Sequence, residues 1–592
     1  MEPKILSRSE IEHRISKGDC IVIYKDFVLK LNKWIDYHPG GDKAVHHLVG
    51  RDATDEMIAY HSDETQDTFT KWKIGKIQGK WENFLPPIQG GKFRSFVEQK
   101  PESISSNISD NSNEDSGCWS TSVSSESTSD CNESTPDPEP EHESYVVPEP
   151  SSIVNAKQRS PMAGEILAAN IEPLIKQGDV PSIGKLEYYE KKVVKDPSDN
   201  FINYDRSLLK EDLETLPSLD YKTQKLLSEE YNKLHDKIIK AGYYNCNYWK
   251  YGEEALRIGS LFTISFVLLY FKQYFLSAIA IGGAWQQMVF IAHDAGHISI
   301  THQYEVDNII GMTVASWLGG LSLGWWKRNH NVHHLITNDP VHDPDIQHLP
   351  FFAVSSRLFG NVYSTYYEKY LWFDSFAQSL IPIQNYMYYP ILCFGRFNLY
   401  RLSWEHILLG LGPKRGKAAW FRWYELAGLV FFNWWFFYIV VTLSLPDGWT
   451  RFMYIAVSHI TTMIVHVQIT LSHFAMSTSD LGTSESFPSR QLRTTMDVDC
   501  PEWFDYFHGG LQFQAIHHLF PRLPRHNFRA VQPLVIEFCN KVGLHYSIYG
   551  FVKGNQVVIN KLGEIANQAK ILRDCTKSMK KDAIREGKVF DF

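Results

Sequence analysis

The sequence predicts a small α+β domain, then a disordered linker, then a multi-pass α-helical membrane domain preceded by a cytosolic helical region. Three observations support this order: a strand-like run before residue 40, a Ser-, Glu- and Pro-rich stretch near residue 120, and long apolar runs in the second half of the chain. The expected boundaries are 1–95 for the α+β domain, 96–165 for the linker, 166–255 for the helical region and 256–592 for the membrane domain.

The composition excludes several classes of protein. The chain has 59 Lys and Arg against 67 Asp and Glu, a net charge of −8. Nucleic-acid-binding proteins normally present a basic face, so we expect no nucleic-acid partner. The eight cysteines include no C-x-x-C pair, which argues against a disulfide scaffold and a thiolate zinc site. The first residues lack the apolar core of a secretory signal, so the N-terminal domain is expected in the cytosol.

The N-terminal domain combines strand and helix patterns. Residues 21–31 are rich in Val, Ile and aromatic residues, as in strands, and HPGG at 38–41 predicts a tight turn. Two helical patterns follow, and the second ends at His61. These patterns predict a small α+β domain with a sharp turn before its first central helix.

The linker and the region after it differ in composition. Residues 100–160 are acidic, rich in Ser and Pro and poor in apolar side chains, so they cannot bury enough surface to fold and are expected to form a disordered tether. Residues 208–241 have amphipathic helical spacing, interrupted by Pro217 and followed by Gly242, a helix-ending residue. We expect soluble helices here, on the cytosolic side of the membrane.

Four apolar stretches predict four membrane crossings. Ile258–Ala292, interrupted at Lys272 and Gln273, suits two short spans, and Leu426–Leu445 and Phe452–Leu471 suit two more. Ile309–Gly324 is uncharged, but it is short and contains four glycines, so it is expected to lie at the interface. Four crossings place every histidine cluster of the membrane domain on the cytosolic side.

Two histidines of the N-terminal domain have the spacing of a heme site. His38 lies in the YHPGG turn, His61 follows 23 residues later, and Gly40 and Gly41 allow a sharp turn beside a porphyrin. This stretch, roughly residues 3–78, resembles cytochrome b5, which implies heme b bound by His38 and His61 and used for one-electron transfer. Trp34 departs from the family pattern, where a phenylalanine is expected. Two neighbouring histidines, His46 and His47, are expected on the helix surface rather than as ligands.

Three histidine clusters occur in the membrane domain, each spaced so that its members share one face of a helix. Seven imidazoles exceed the needs of one tetrahedral zinc and suit two metal ions with open positions. His473, at the cytosolic end of the last span, is a further candidate ligand, whereas His459 and His466 are expected to make polar contacts between helices. The clusters are HDAGH with His293 and His297, HNVHH with His330, His333 and His334, and QAIHH with Gln514, His517 and His518.

These clusters resemble the histidine boxes of the membrane fatty-acyl desaturases. The fused cytochrome b5-like domain, the run from His330 to Phe352, and Gln514 in place of the first histidine of the third box are similar to the front-end desaturases. The long acidic tether is most similar to that of the yeast sphingolipid delta-8 desaturases. The resemblance implies two iron ions, O2 as co-substrate, NADH-cytochrome b5 reductase as electron donor, a ceramide or sphingolipid substrate, and residence in the endoplasmic reticulum membrane.

The same resemblance leaves some residues and some activities open. Gln514 could bind a metal, hold a water or orient a neighbour, and Asp343, Asp345 and Asn338 could orient the histidines or be surface groups. A cytochrome b5-fused lipid hydroxylase and a front-end acyl-lipid desaturase of the delta-5 or delta-6 type share most of these motifs. A heme-binding membrane scaffold with an inactive core and a metal transporter are the alternatives from other classes.

Overall fold

The computed structural model describes residues 3–93 and 199–585. The predicted linker, 96–165, and the first part of the predicted helical region, 166–198, lie outside the described residues. The remainder forms an N-terminal α+β domain and a larger helical domain. Side chains from both domains are in contact, for example in an apolar cluster that combines Ala44 with Val332 and Ile336.

The N-terminal domain contains a four-stranded sheet in the order β1-β4-β3-β2, in which β1 and β4 are parallel and the other neighbours are antiparallel. The strand-like run 21–31 is a hairpin, because Lys25 and Asp26, with φ of 46° and 66°, form the two-residue turn that matches strand twist. The elements are β1 (Ile5–Leu6), α1 (Arg8–Ser16), β2 (Ile21–Tyr24), β3 (Phe27–Lys30), α2 (Asp42–His46), α3 (Thr54–Tyr60), α4 (Asp63–Thr68) and β4 (Lys73–Ile77).

One expectation for this domain is wrong in part. His46 is half-buried, but His47 is buried, with 1% of its surface exposed, and is not a helix-surface residue. Its ring lies 5.5 Å from that of His342 in the helical domain, centroid to centroid. The helix pattern alone could not show this, because His342 and Gln89, both distant in sequence, contact the His47 ring.

The helical domain begins with two helices separated near Pro217, as the sequence predicts. In the second, Leu227, Tyr231, Leu234 and Ile238 form an apolar face that is buried against the C-terminal helices. The elements of this domain are α5 (Asp199–Thr215), α6 (Tyr221–Lys240), α7 (Tyr248–Tyr270), α8 (Tyr274–Gly296), α9 (Tyr304–Met312), α10 (Leu323–Leu335), β5 (Val362–Ser364), β6 (Lys369–Leu371), α11 (Ser375–Leu380), α12 (Gln384–Leu392), α13 (Gly395–Leu409), α14 (Phe421–Phe432), α15 (Gly448–Thr461), α16 (Met463–Phe474), α17 (Phe487–Thr494), β7 (Asp497–Asp499), α18 (Asp505–His508), α19 (Gln514–Leu519), α20 (Phe528–Val542), β8 (Ile548–Gly550) and α21 (Phe551–Arg585).

Within the described residues, three helices are long and apolar enough to cross a membrane: Tyr274–Gly296, Gly416–Leu443 and Gly448–Phe474. They correspond to three of the four predicted spans. The other predicted span falls in α7, whose first turns carry charged residues, but whose later part exposes apolar side chains such as Ile264, Val267 and Tyr270. Exposed apolar surface of this kind is typical of lipid contact.

The segment predicted to lie at the interface is sharply bent. Tyr304–Leu318 and Leu323–Leu335 meet at an angle of 117°, so they add a fourth span only if the bent pair is counted as one. The bend brings α10 against the end of α8, where Gly296 is required: a Cβ there would lie 2.1 Å from the Trp326 ring. This close approach places the first two histidine clusters side by side.

Candidate metal centres and heme site

The histidine clusters of the membrane domain come together at the ends of four helices. His293 and His297 lie at the end of α8, the HNVHH histidines on α10, His473 near the end of α16, and His517 and His518 on α19. Each predicted box histidine therefore belongs to one site, although the clusters are as much as about 220 residues apart in sequence. The tertiary fold, rather than any local motif, produces this convergence.

The nitrogens form two neighbouring groups. In the first group, His293, His297, His330 and His517 each offer a ring nitrogen within 4.8 Å of the others. The second group consists of His333, His473 and His518, under the same distance limit. The sequence-predicted candidate His473 thus lies beside two box histidines.

His334 lies between the two groups. Its Nε2 is 3.0 Å from Nε2 of His330 and 3.1 Å from Nε2 of His517, both in the first group. Its ring stacks on His518 of the second group, with 4.1 Å between centroids. A cation placed between such facing nitrogens would remove the repulsion between their lone pairs.

Several observations show that the site fits metal ions. Within the described residues, Nε2 of His297, Nδ1 of His473 and Nε2 of His518 are buried and have no hydrogen-bond partner, which is costly unless another group occupies the lone pair. Burial, followed by the charge of neighbouring histidines, holds the pKa of His517 and His518 well below the ordinary value. Both rings are therefore neutral at pH 7, the form that binds iron, zinc or copper.

Two carboxylates orient the second box. Asp343 accepts a hydrogen bond from Nδ1 of His333 at 2.8 Å and is fully buried. Asp345 lies 3.3 Å from Nδ1 of His330. Burial alone would raise the pKa of Asp345, but the adjacent His333 and His330 lower it below its ordinary value. Both aspartates hold Nδ1–H, so Nε2 of each histidine is free to bind a metal.

Asn338 and Gln514 have different surroundings. The Asn338 amide nitrogen donates to the backbone carbonyl of His473 at 2.8 Å, so it braces the chain near that histidine rather than accepting from an imidazole. Gln514 is buried and lines an apolar cavity together with His293 and His330. Its side chain is therefore placed beside both the histidine site and the cavity.

Sequence reasoning missed Gln491, which orients the third box. Its Oε1 accepts from Nδ1 of His518 at 2.9 Å, and its Nε2 donates to the backbone carbonyl of His334 at 2.7 Å. Nearby, Asp497 accepts from the backbone N–H of Ala515 at 2.8 Å and so fixes the first turn of α19. Neither residue belongs to a recognisable motif, so the sequence gives no signal for them.

A buried ion network supports the first box from behind. Asp294, inside HDAGH, accepts a hydrogen bond from Tyr251 and pairs with Arg525, which also pairs with Glu254. Burial raises the pKa of Glu254, but Arg525 and His526 outweigh this effect and lower it to about 2. The network ties α7 and α8 to the loop that follows the third box.

A cavity of about 800 Å³ adjoins the histidine site. Its wall includes Trp285, Val289, Leu399 and Val465, together with His473. An apolar cavity beside converging polar groups is typical of a site for an apolar substrate. His466 also lines this cavity. His459 stacks on Phe397 of α13, with 4.5 Å between centroids, and its Nδ1 donates to the Ile455 carbonyl of its own helix at 2.8 Å, so its contact between helices is ring stacking rather than the polar contact that was predicted.

The predicted heme ligands face each other in the N-terminal domain. The ring centroids of His38 and His61 lie 6.3 Å apart. Nδ1 of His38 donates to the Gly41 carbonyl at 2.8 Å, and Nδ1 of His61 donates to the Met57 carbonyl at 2.9 Å. Burial lowers the pKa of both, to about 4 for His61. Each ring is thus neutral with Nε2 free, which fits axial ligation of a heme.

Comparisons with known proteins agree with both sites. The family model "Cytochrome b5-like Heme/Steroid binding domain" matches residues 7–78, and "Fatty acid desaturase" matches residues 272–550. Proteins named Delta 8-(E)-sphingolipid desaturase are 62% identical in Lachancea kluyveri, over 98% of this chain and 97% of that protein, and 57% identical in Candida albicans, over 98% of each. The chain belongs to the cytochrome b5-fused fatty acid desaturases.

Membership of this family accounts for the two sites described above. The protein of the same name from Emericella nidulans is 47% identical over 97% of this chain and 96% of its own length. The cytochrome b5-like domain indicates heme and electron transfer, and the fatty acid desaturases are iron-dependent membrane proteins that act on lipids. The predicted family and the predicted fold class are confirmed.

Proposed function

We propose that this desaturase introduces an (E) double bond at carbon 8 of the long-chain base of ceramide or a related sphingolipid, using O2 and electrons from its own heme domain. The observation that carries the proposal is the pair of histidine groups beside an apolar cavity in a chain whose relatives bear that activity in their name. The reaction consumes O2, two electrons and two protons, and yields a carbon–carbon double bond and two molecules of water.

Two iron ions would supply the oxidising power needed to break an unactivated C–H bond. In this proposal the first group, His293, His297, His330 and His517, and the second group, His333, His473 and His518, would hold them, and His334 lies between the two groups. Asp343 and Gln491 fix the orientation of His333 and His518. Gln514 lies where the cavity meets these histidines. In the proposed complex it would lie beside the reacting carbons of the lipid chain.

The apolar cavity would hold the lipid chain and exclude water. Its aliphatic and aromatic wall, including Trp285 and Leu399, favours a hydrocarbon chain and holds two adjacent methylenes near the histidines. His38 and His61 would hold heme b in the N-terminal domain, and NADH-cytochrome b5 reductase would reduce it. We propose residence in the endoplasmic reticulum membrane, with the heme domain and the histidine site on the cytosolic side.

Lipid mass spectrometry tests the proposal. The full chain is expressed in a yeast strain that lacks long-chain-base desaturation, and its sphingoid bases and fatty acids are compared with those of an empty-vector strain. We expect a new (E) double bond at carbon 8 of the long-chain base. A new hydroxyl group would indicate the hydroxylase alternative, and unsaturation confined to fatty acyl chains would indicate an acyl-lipid desaturase.

Two single substitutions separate the metal site from the heme site. His297→Ala should abolish the product and leave the heme absorption spectrum unchanged, because the heme ligands lie in the other domain. His38→Ala should remove the heme spectrum while the iron of the histidine site is retained. Product formation by His297→Ala at the wild-type level would contradict the assignment of the histidine site.

A further inference from the structure

The turn that carries the first heme ligand lies directly on the helix that carries the second histidine box. The carbonyl of Gly40 accepts a hydrogen bond from Nδ2 of Asn331 on α10 at 3.2 Å. A Cβ at Gly40 would lie 2.9 Å from the same nitrogen, and one at Gly41 would lie 3.2 Å from Cγ of Arg328. Two glycines therefore let the turn approach α10 more closely than other residues would allow.

Polar contacts surround this approach. Lys43 is buried, with 6% of its surface exposed; it forms an ion pair with Glu368 and donates to the carbonyl of Thr365 at 3.2 Å. Arg328 pairs with Asp42 at 3.3 Å. On the other side of the heme domain's contact surface, Asn232 donates to Asp55 at 2.9 Å. Charge complementarity of this kind fixes the orientation of two surfaces.

Tyr60 links the two sites. It is the last residue of α3 and directly precedes the heme ligand His61, and its ring lies 6.0 Å from the ring of His334, centroid to centroid, at 82°. Its Oη is buried and has no hydrogen-bond partner within the described residues, which is unfavourable for folding. The aromatic ring, rather than the hydroxyl, is therefore the part of Tyr60 that contacts the histidine site.

We propose that this docked arrangement is the one in which electrons pass from the heme domain to the histidine site, with the ring of Tyr60 as the contact between His61 and His334. The inference rests on the proposed function and adds the route by which electrons reach the histidine site. With heme and iron bound, each passage would oxidise one ferrous heme to ferric and deliver one electron to iron held by the histidines. Two passages, with two protons from solvent, complete one desaturation.

A tethered domain without a defined contact would sample many orientations. The covalent connection to the rest of the chain raises the effective concentration of the heme domain near its target, but it does not select which surface faces α10. The contacts of Gly40, Lys43 and Tyr60 do select it, and they place the ring of Tyr60, the residue next to His61, 6.0 Å from the ring of His334.

Reoxidation of the heme tests the role of Tyr60. Full-length protein, loaded with heme and iron, is reduced with dithionite and mixed with O2 and ceramide, and the heme absorption is followed by stopped flow. The rate in iron-free protein is subtracted. We expect Tyr60→Leu to lower the iron-dependent rate by about tenfold or more, because transfer depends steeply on the position of the partners, and Tyr60→Phe to stay close to wild type.

Phe27→Leu is the matched control, since Phe27 is an aromatic residue of β3 whose ring contacts Lys73 and Lys76 of the same domain. It should leave the rate unchanged. Heme content, heme reduction potential and iron content are measured for every variant, so that a loss of cofactor is not mistaken for a loss of contact. A wild-type rate in Tyr60→Leu with both cofactors bound would overturn the role of Tyr60.

A charge exchange tests the docking without turnover. The electron paramagnetic relaxation of ferric heme is faster near paramagnetic iron, so the difference between iron-loaded and iron-free protein reports their proximity. Lys43→Glu should reduce this difference and slow reoxidation, and the double variant Lys43→Glu with Glu368→Lys should restore both. An unchanged relaxation difference in Lys43→Glu would overturn the docked arrangement.

The two proposals fail in distinguishable ways. If the wild-type chain produced no unsaturated long-chain base while the variants still altered heme relaxation and reoxidation, only the proposed function would be wrong. If the product formed normally and none of the Tyr60 or Lys43 variants affected the heme measurements, only the proposed electron route would be wrong.

Discussion

His333 donates through Nδ1 to Asp343 at 2.8 Å, and the two side chains are 1% and 0% exposed. The same carboxylate accepts the backbone N–H groups of Asn338 and Asp345, at 2.7 and 2.8 Å. A buried acceptor with three donors holds the imidazole in one orientation and one tautomer. The second histidine group therefore depends on a residue that binds no metal itself.

We expect Asp343→Asn to lower iron affinity by about 10- to 100-fold, because the amide must turn an N–H toward one of the three donors. Iron is titrated against a chelator, and heme per chain is measured in the same samples. Asp447→Asn, in the exposed N-cap of α15, serves as a control and should bind iron normally. Wild-type iron affinity in Asp343→Asn would show that the carboxylate is dispensable.

Gln491→Leu should have a related effect at the third box. The substitution removes the acceptor for Nδ1 of His518 and the donor to the His334 carbonyl, while it preserves most of the side-chain volume. We expect iron content and product yield to fall together, each by about 10-fold or more. Gln491→Glu keeps an acceptor for His518 and should retain more iron than Gln491→Leu; the reverse order would contradict this role.

Arg525→Ala should destabilise the folded protein strongly. Arg525 is 6% exposed and pairs with both Glu254 and Asp294, so its removal leaves Asp294 buried without this cation and Glu254 with His526 alone. We expect a loss of about 3–5 kcal/mol in the free energy of unfolding. Thermal unfolding in detergent measures it, with Arg573→Ala, in a more exposed ion pair, as a control that should change little.

The same network predicts sensitivity to acid. The pKa of Glu254 is about 2 in the folded protein, against about 4.3 in an unfolded chain, so its ionised form stabilises the fold. This contribution is complete above about pH 4.5–5 and is lost as the pH falls toward 2. Stability measured between pH 7 and pH 3 should decline less steeply in Glu254→Gln than in wild type; parallel curves would exclude this source of acid sensitivity.

Leu399→Trp should block the cavity. Leu399 lines it from α13, and an indole there occupies space that the lipid chain needs. We expect product to fall by about tenfold or more, while iron and heme content stay at wild-type values, because no ligand is altered. Leu408→Trp, on the same helix but 66% exposed, should convert lipid normally. Equal conversion by both variants would place the substrate elsewhere.

Local patterns predicted much of this site. The i, i+3 and i+4 spacings identified seven box histidines, and the position of His473 at the cytosolic end of the last predicted span made it a further candidate ligand. Gln491, Asp497 and Arg525 were missed. Each contacts a residue that is distant in sequence, namely His518, Ala515 and Asp294, and short-range spacing does not indicate such contacts. The Lys25–Asp26 turn was missed because the run contains no Gly and no Asn-Gly or Asp-Gly pair, and Lys rarely adopts positive φ.

The sequence by itself determined which side chains are candidates for binding metals, which helices are apolar, and where the candidate heme ligands lie, since each of these depends on residue type and short-range spacing. Only the tertiary structure decided that the histidines form two groups, that His334 lies between them, and that the heme domain rests on α10 through Gly40 and Tyr60. Such contacts depend on how helices pack in three dimensions, and packing is a property of the whole chain that no single segment encodes.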